Sequence, residues 1–478
     1  MSAGRKIWFV ASLLVVDMLL FNAGYLLSFL VKFGGEMPQY NFTAYQTTWP
    51  WLTLTAAALM YLYRLYGPYR WRWTEIFAGL ICVVFFQAIV GMSLSFLFRG
   101  FSFPRTVFMI SPLIQLVLLS IWRRAAWYWE RKLLEEKRIL VVGTPLDTED
   151  LAGKLEYYTG GIFRVIGLVI GNGNGVVYES KAGEECAVTA ETGNPEVPVR
   201  GEGKNWPVLG DVEAFCECLD ATHPDQVFVS GSLSQQSKAE ILYACVARDK
   251  PAFLVPDFYE ILLTQARLEQ VDDVPVFSVG RLNIPRELLL FKRLMDIGIS
   301  LVGLVVSLPI LLLAAIFIKI DSRGPVIYRQ SRITDGGQVF YLYKLRTMIN
   351  GAEAGTGPVL AAEDDPRVTR VGRVLRAMRV DEIPQLVNVL KGDMSLVGPR
   401  PERPFFVNQL MRDVPEYVYR MNVKSGLTGL AQVAGKYSTS PENKLKYDLL
   451  YTKSYSPVKD IAILFQTIKV MLMKDRAS

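Results

Sequence analysis

The chain has 478 residues, of which 51% are hydrophobic and 21% charged, so it is too apolar for a typical soluble enzyme and too charged for a protein made only of membrane helices. This composition also excludes a disordered or collagen-like chain. The net charge of +6 conceals three blocks: residues 1–135 hold 12 basic and 5 acidic side chains, residues 136–280 hold 11 and 23, and residues 281–478 hold 29 and 18. The single histidine argues against a His-based zinc site or catalytic triad.

Four apolar runs fill the first block, and each is close to the length of about 20 residues that a helix needs to cross the hydrocarbon core. We predict a four-helix membrane bundle over Ile7–Val31, Trp49–Leu65, Ile76–Phe98 and Val107–Trp127. No clear small-residue cleavage site follows the first run, so we interpret it as a retained helix and not as a signal peptide. We interpret Asp17 in this run as a partner in an interhelical hydrogen bond, the alternative being a functional intramembrane carboxylate.

Basic residues predict the orientation of this bundle. They gather before the first run, at and after the end of the second, and at and after the end of the fourth, which indicates that both ends of the bundle face the cytoplasm. The residues are Arg5, Lys6, Arg64, Arg70, Arg72, Arg123, Arg124, Arg131 and Lys132.

The acidic middle block alternates short strands with helices, which predicts a small doubly wound parallel sheet of the Rossmann-like type. Its first strand, Arg138–Gly143, leads into the turn that holds the glycine-rich pyrophosphate motif in dinucleotide-binding domains. Here the second and third glycines are missing, and three carboxylates lie at the helix start, where they would repel a phosphate. We therefore interpret residues 136–280 as a structural or regulatory domain. The Gly- and Glu-rich stretch Gly171–Asn205 is expected to be an exposed excursion.

A fifth apolar run, Leu294–Ile318, contains Pro309, which removes a helical hydrogen bond and favours a kink. Basic residues flank the run on both sides. A crossing helix would leave one basic cluster outside the cell. We therefore predict a re-entrant helix that enters the membrane, bends at Pro309 and returns to the cytoplasmic side.

The residues after this run form a dense set of groups suited to phosphate chemistry. A strand-like segment presents Lys344 and Arg346, an arginine series ends at Arg376, and Asp381 and Glu382 stand just before a proline. A rigid loop, Gly392–Pro401, contributes Arg400. Fixed cations bind anionic phosphates, a divalent metal needs hard oxygen ligands, and a carboxylate can serve as a nucleophile, so the set indicates phosphoryl transfer.

Two simpler interpretations of these residues stay open. Asp381 and Glu382 could cap the following helix and complement its dipole. The arginine series could be an interfacial patch for anionic lipid. Likewise, the C-terminal segment Ile461–Met473 could be either a helix lying in the membrane interface or a buried core helix.

Together these motifs resemble the bacterial monotopic polyprenyl-phosphate phosphoglycosyl transferases. The resemblance covers residues 281–478, and its motifs are KRLMD (292–296), YKLRTM (343–348), VDEIPQLVNVLKGDMSLVGPRP (380–401) and GLTGLAQV (426–433). The layout of residues 1–135 as a bundle and 136–280 as a Rossmann-like domain is similar to the long form of the family. Two departures stand out: Leu308 replaces the serine common before the proline of the helix break, and the Trp often found before Gln432 is missing.

The resemblance implies transfer of sugar-1-phosphate from a UDP-sugar to a polyprenyl phosphate such as undecaprenyl phosphate, with release of UMP, as the first membrane step of capsule, exopolysaccharide or O-antigen assembly. It implies Asp381 as the nucleophile that forms a phospho-sugar intermediate, and Glu382 as a ligand of Mg²⁺. It places Lys344, Arg346, Arg376, Pro399, Arg400 and Asp448 with the substrate phosphates or nucleotide.

The resemblance also implies partners and a location. We expect a multi-pass protein of the bacterial plasma membrane, with residues 281–478 as a mixed, mostly α-helical catalytic domain on the cytoplasmic face. The expected partners are the UDP-sugar, the polyprenyl phosphate and membrane lipids, with no nucleic acid, and the long form is compatible with a homodimer. The sugar is not specified by any motif.

Two rival functions would require different sequence features. A membrane-bound nucleotide-sugar dehydratase or epimerase would need an intact glycine motif and a Tyr-xxx-Lys pair within the middle domain, which the sequence lacks there. A non-catalytic sensor or scaffold would use the middle domain to bind nucleotide and would turn over no nucleotide sugar.

Overall fold

The computed structural model describes residues 3–67, 72–97, 103–133, 136–159, 162–171, 206–264, 266–280, 282–352, 365–435 and 439–473. The chain divides into two compact units, Met1–Asp257 and Phe258–Ser478. Arg70, the side chains of Arg5 and Lys6, and the excursion after Gly171 lie outside the described residues. The predicted boundaries between three domains, at residues 135 and 280, stay a prediction.

Long helices form the first part of the N-terminal unit. In the described residues they are α1 (Ala3–Phe33), α2 (Gln39–Leu62), α3 (Trp73–Leu97) and α4 (Arg105–Leu133). They confirm the four predicted helical runs. By length and composition, α1, α3 and α4 can cross a membrane, as can a later helix over Arg286–Asp321, among the described residues. The helix α2 is outside that set because its many polar residues lower its hydropathy.

Asp17 on α1 is fully buried and pairs with Arg123 on α4. Arg123 Nε lies 3.0 Å from Asp17 Oδ1, and Tyr66 donates its hydroxyl to Asp17 Oδ2 at 2.8 Å. The predicted interhelical bond of Asp17 is therefore confirmed. Arg123 is one of the basic residues that predict the orientation of the bundle, and in the structure only 3% of its side chain is exposed, because it neutralises this carboxylate.

The second part of the N-terminal unit is an α/β fold. Among the described residues its strands form one parallel sheet in the order β3-β2-β1-β4-β5. The strands are β1 (Lys137–Gly143), β2 (Phe163–Ile170), β3 (Val208–Asp211), β4 (Gln226–Val229) and β5 (Ala252–Leu254). The helices are α5 (Pro145–Thr159), α6 (Phe215–Thr222) and α7 (Gln235–Ala247). The apolar β1 strand is central and buried, as expected for a parallel strand covered on both faces.

The turn after β1 is filled by polar side chains of the protein itself. Asp147 Oδ2 accepts hydrogen bonds from Thr144 at 2.7 Å and from Ser230 at 3.3 Å, and Ser232 donates to the same oxygen. A Cβ at Gly143 would lie 2.5 Å from Ser230 Cβ. This carboxylate therefore lies where a dinucleotide-binding domain would receive a pyrophosphate, consistent with the missing glycine motif.

The C-terminal unit combines helices with short sheets. Its described helices are α8 (Phe258–Leu263), α9 (Arg286–Asp321), α10 (Arg370–Ala377), α11 (Gln385–Lys391), α12 (Pro404–Asp413), α13 (Leu430–Ala434), α14 (Pro441–Lys453) and α15 (Pro457–Met471). Its strands are β6 (Arg267–Val271) with β7 (Val274–Ser278), β8 (Ile327–Ile333) with β9 (Val339–Leu345), and β10 (Ser395–Val397) with β11 (Gly426–Thr428). The first two pairs are antiparallel and the third is parallel. Ile463 and Val470 of α15 lie in the core, which supports the buried alternative for this segment.

The apolar helix α9 has 36 residues and continues through Pro309. Pro309 has no N–H to donate to the preceding turn, and the nearby Ser307 hydroxyl donates to the carbonyl of Leu304 at 3.3 Å. Near its start, Lys292 and Asp296 are buried and bond to the segment of β10. Near its end, Ile318 packs with the residues around α10. The predicted bend at Pro309 stays a prediction.

Candidate active site

Asp381 and Glu382 lie in a short 3₁₀ turn, Val380–Glu382, between α10 and α11. Arg379 precedes the turn with φ 54° and ψ 22°, a left-handed conformation that is uncommon for a long side chain. The N-cap of α11 is Pro384, with no side-chain cap hydrogen bond, so the two carboxylates do not cap this helix.

Glu382 is an ionised carboxylate surrounded by cations. Its Oε1 lies 3.0 Å from Arg400 Nη2 and 3.4 Å from Lys344 Nζ, and its Oε2 lies 4.0 Å from Arg379 Nη1. Burial alone would raise the pKa of Glu382, but the charges of Arg400, Lys344 and Arg379 together lower it to about 2. Glu382 is therefore a fixed negative charge at neutral pH.

Asp381 has a different environment from its neighbour. It is 8% exposed, and burial, with the negative charge of Glu382, raises its pKa, while Lys344 and Arg376 oppose the shift. Two adjacent carboxylates with pKa values moved in opposite directions are typical of acids with separate chemical roles. Asp381 is thus the less strongly neutralised member of the pair.

The β8–β9 hairpin presents Lys344 to this pair. Lys344 stands opposite Tyr328 near the end of the ladder, and burial lowers the pKa of its ammonium group. Asn388 of α11 fixes the hairpin, because its Oδ1 accepts from the Tyr343 amide at 3.0 Å and its Nδ2 donates to the Tyr341 carbonyl at 2.8 Å. The helix that follows the acidic pair therefore also holds the strand of Lys344.

Arg400 belongs to the loop Gly398–Pro401 that follows β10. The Gly398 amide donates to Thr428 O at 2.8 Å, and the Gly426 amide donates to Pro399 O at 2.8 Å. The backbones of the two glycines approach so closely that a Cβ on Gly426 would lie 2.1 Å from the Gly398 nitrogen. These contacts place Pro399 against β11 and allow Arg400 to reach Glu382.

The remaining predicted site residues have other contacts. Arg376 Nε donates to Thr347 Oγ1 at 2.9 Å, and its charge acts on Asp381. Arg346 donates to the carbonyls of Ser322 at 2.7 Å and Arg323 at 3.1 Å, which satisfies the end of α9. The structure thus brings Lys344, Arg376 and Arg400 to the acidic pair, whereas the hydrogen bonds of Arg346 go to α9.

Asp448 is buried on α14 and pairs with Arg420 across 3.1 Å. Burial raises the pKa of Asp448 to about 6, although Arg420 opposes the shift. Arg420 also donates to the carbonyl of Arg400 at 2.9 Å. Asp448 therefore connects to the site through Arg420 and the Arg400 backbone.

Sequence reasoning missed Arg379 and Arg420. Arg379 adjoins the acidic pair, and that adjacency was the available signal. Arg420 has no comparable signal, because its partners Arg400 and Asp448 lie 20 and 28 positions away along the chain. The basic residue Arg332 belongs to the basic flank that follows the apolar run, and in the structure it donates to the Pro401 carbonyl at 2.9 Å.

The carboxylates at this site suit a metal ion that is held by the protein and a substrate together. The described residues contain no group of three or more His, Cys, Asp or Glu side chains able to enclose an ion. Mg²⁺ is commonly held by one or two carboxylates together with substrate phosphates. Asp381 and Glu382 provide two adjacent hard oxygen donors of that kind, so the residues fit Mg²⁺ bound jointly with a diphosphate.

Comparison with known proteins places this site in a family. The model of the family described as bacterial sugar transferase matches residues 287–474. A UDP-N-acetylgalactosamine-undecaprenyl-phosphate N-acetylgalactosaminephosphotransferase of Aeromonas hydrophila is 37% identical over 235 residues, which are 48% of this chain and 54% of that protein. The chain thus spans little more than half of that relative's length.

Two further relatives act on other sugars by name. A UDP-glucose:undecaprenyl-phosphate glucose-1-phosphate transferase of Caulobacter vibrioides is 42% identical over 39% of this chain and 71% of its own length. An undecaprenyl-phosphate galactose phosphotransferase of Salmonella typhimurium is 38% identical over 39% of this chain and 41% of its own. From the family match and these identities, the chain belongs to the bacterial sugar transferase family.

Proposed function

We propose that the chain transfers sugar-1-phosphate from a UDP-sugar to a polyprenyl phosphate such as undecaprenyl phosphate, giving a polyprenyl-diphosphate sugar and UMP. The observation that supports this function is the Asp381–Glu382 pair, in which one carboxylate is held by three cationic side chains and the other is not. The names of the relatives, which describe such transfers, support the same reaction class.

In the proposed reaction Asp381 is the nucleophile. An oxygen of its carboxylate forms a bond to the phosphorus next to the sugar, and the bond from that phosphorus to the bridging oxygen breaks, so that UMP leaves with the bridging oxygen. The polyprenyl phosphate then attacks the same phosphorus, and the bond to Asp381 breaks. Because each step exchanges one phosphorus–oxygen bond for another, no oxidant or reductant is required.

The cations around Glu382 favour the approach of an anionic phosphate in this reaction. Arg400 and Lys344 are held by Glu382, and Arg376 faces Asp381, so positive charge surrounds the carboxylate that approaches an anionic phosphate. Glu382 and Asp381 would hold Mg²⁺ with the diphosphate, and the ion, when bound, would neutralise charge on the leaving UMP.

We also propose that α9 is re-entrant and that the C-terminal unit lies on the cytoplasmic face of the bacterial plasma membrane. A straight helix of 36 residues would be about 54 Å long. Yet Lys292 near its start bonds to Val397, and Ser322 at its end bonds to Arg346, both in the same compact unit. Having both ends bound to this unit supports a helix that enters and leaves the membrane on one side.

For the middle of the chain we propose a Rossmann-like domain with a structural or regulatory role. The parallel order β3-β2-β1-β4-β5 is the order of a doubly wound sheet, which supports the fold. The hydrogen-bonded Asp147 at the turn after β1 supports a role other than dinucleotide binding.

A UMP-release assay tests the proposed function. The purified full chain is incubated with a panel of UDP-sugars, with and without undecaprenyl phosphate, and we expect one or a few sugars to be used. Asp381→Asn should reduce UMP release to background while the protein still folds and inserts. Full activity of this variant would refute the nucleophile, and absence of turnover with every UDP-sugar would refute the function.

A further inference from the structure

The backbone of the loop Pro399–Glu402 is held through its carbonyl groups. Its two prolines, Pro399 and Pro401, have no N–H and cannot donate hydrogen bonds. Instead, four consecutive carbonyls accept hydrogen bonds. Pro399 O accepts from the Gly426 amide at 2.8 Å, and Glu402 O accepts from the Ile333 amide at 3.0 Å.

The two middle carbonyls accept from arginine side chains. Arg420 Nη2 donates to Arg400 O at 2.9 Å, and Arg332 Nη1 donates to Pro401 O at 2.9 Å. These two carbonyls directly follow the Cα of Arg400, from which the side chain extends to Glu382. We call Arg332 and Arg420 the arginine clamp.

Each arginine of the clamp is itself fixed by an acid and a further acceptor. Arg420 pairs with buried Asp448 and also donates to the Tyr417 hydroxyl. Arg332 lies 3.5 Å from a carboxylate oxygen of Glu402, and its Nη2 donates to Gln330 Oε1 at 2.7 Å. In each guanidinium group one terminal nitrogen, Arg420 Nη2 or Arg332 Nη1, contacts both the loop carbonyl and the acid, and the other terminal nitrogen donates to the further acceptor. A lysine ammonium cannot reproduce this geometry.

We propose that Arg332 and Arg420 are positioning residues, which hold the loop so that the Arg400 guanidinium stays on Glu382. The expected change in kcat rests on the proposed function, whereas the expected change in the order of the loop does not. Asp448 contributes by holding Arg420. In the described residues, the hydrogen bonds of Arg332 and Arg420 do not go to Asp381 or Glu382. Both arginines act on the backbone of the loop.

A double-variant cycle tests the kinetic consequence. Arg420→Lys and Arg332→Lys should each lower kcat for UMP release by about tenfold to hundredfold. In an Arg400→Gln background the same substitutions should have less than about a twofold effect, because the group that they position is gone. Arg412→Lys, an exposed arginine of α12, is the matched control and should change nothing. Additive losses in the cycle would overturn the proposal.

Hydrogen exchange tests the structural consequence without a substrate. In the detergent-solubilised full chain, the amides of Gly398, Arg400, Glu402 and Arg403 should exchange faster in Arg420→Lys and Arg332→Lys than in the wild type or in Arg412→Lys. Exchange in α15 measures any general loss of folding. If neither clamp variant raises exchange in the loop above the change in α15, the proposal is overturned, even where UMP release is normal. If the loop exchanges faster but no UDP-sugar is turned over, the positioning role stands and the proposed function fails.

Discussion

The ammonium group of Lys292 lies 2.7 Å from Asp460 Oδ2, which joins the start of α9 to α15 across 168 positions of sequence. Both side chains are buried, and the same nitrogen also donates to the Val397 carbonyl at 2.9 Å. Tyr451 donates its hydroxyl to the other oxygen of Asp460 at 2.7 Å. One buried polar network therefore joins the start of α9, the strand β10 and the helix α15.

Lys292→Met should lower the free energy of unfolding by about 3–5 kcal/mol, because it leaves the Asp460 carboxylate buried without its cation. Denaturation of the detergent-solubilised protein measures this loss. Lys319→Met, at an exposed position near the end of the same helix, is the control and should have little effect. The double variant Lys292→Met with Asp460→Asn should regain part of the stability. If Lys292→Met is as stable as Lys319→Met, the network does not support the fold.

Arg400→Gln should lower kcat for UMP release by about 10²–10³-fold, the range seen when a charge-stabilising donor is removed from an active site. Its guanidinium is the cation nearest to Glu382 among the ion pairs of that carboxylate in the described residues. Steady-state kinetics with the preferred UDP-sugar measures the effect, with Arg412→Gln as the control. A normal kcat with a raised KM alone would assign Arg400 to ground-state binding.

The rate of UMP release should fall as the pH decreases through about 6. Burial raises the pKa of Asp448 to about 6, so the carboxylate is protonated below that pH and Arg420 loses its counter-charge. The effect of the same protonation on stability is opposite. The pKa of Asp448 is higher in the folded state than in the unfolded state, so its protonation between about pH 6 and pH 4 raises the free energy of unfolding. Glu382, with a pKa of about 2, stays ionised throughout this range.

Asp448→Asn separates this effect from the titration of Asp381, whose pKa is also raised. The variant should be slower at neutral pH and should lack the decline near pH 6. The pH profiles of kcat for both proteins provide the comparison. An unchanged decline in the variant would assign it to another group.

Removal of Mg²⁺ with EDTA should stop UMP release, and added Mg²⁺ should restore it. Glu382→Gln should raise the Mg²⁺ concentration needed for half-maximal rate by about tenfold or more, since the loss of even an outer partner of a bound metal has such an effect. Titration of the rate with Mg²⁺ measures both. Undiminished turnover in EDTA would exclude the metal role of Glu382.

If α9 is re-entrant, as we propose, both of its ends should be labelled from the same side of the membrane. Single cysteines at exposed Glu287 and Arg323, in a chain whose five natural cysteines are replaced by serine, serve as the two probes. An impermeant maleimide should label neither position in intact cells and both in inverted vesicles. Labelling of only one end from each side would establish a crossing helix.

The sequence by itself determined the features that depend on local pattern. Apolar length predicted α1, α3, α4 and α9, because a helix long enough for the bilayer needs a continuous apolar run. Strand–helix alternation predicted the parallel sheet. The adjacency of Asp381 and Glu382, together with the surrounding motifs, indicated the family.

Only the tertiary structure decided which cations serve the acidic pair. Lys344 and Arg346 are two residues apart, yet Lys344 bonds to Glu382 and Arg346 to the end of α9, because β9 ends between them at Leu345. Asp448 and Arg420 meet through packing of separate elements, and no local pattern encodes that pairing. The energy of a buried ion pair depends on distance and desolvation in space, and neither can be read from separation along the chain.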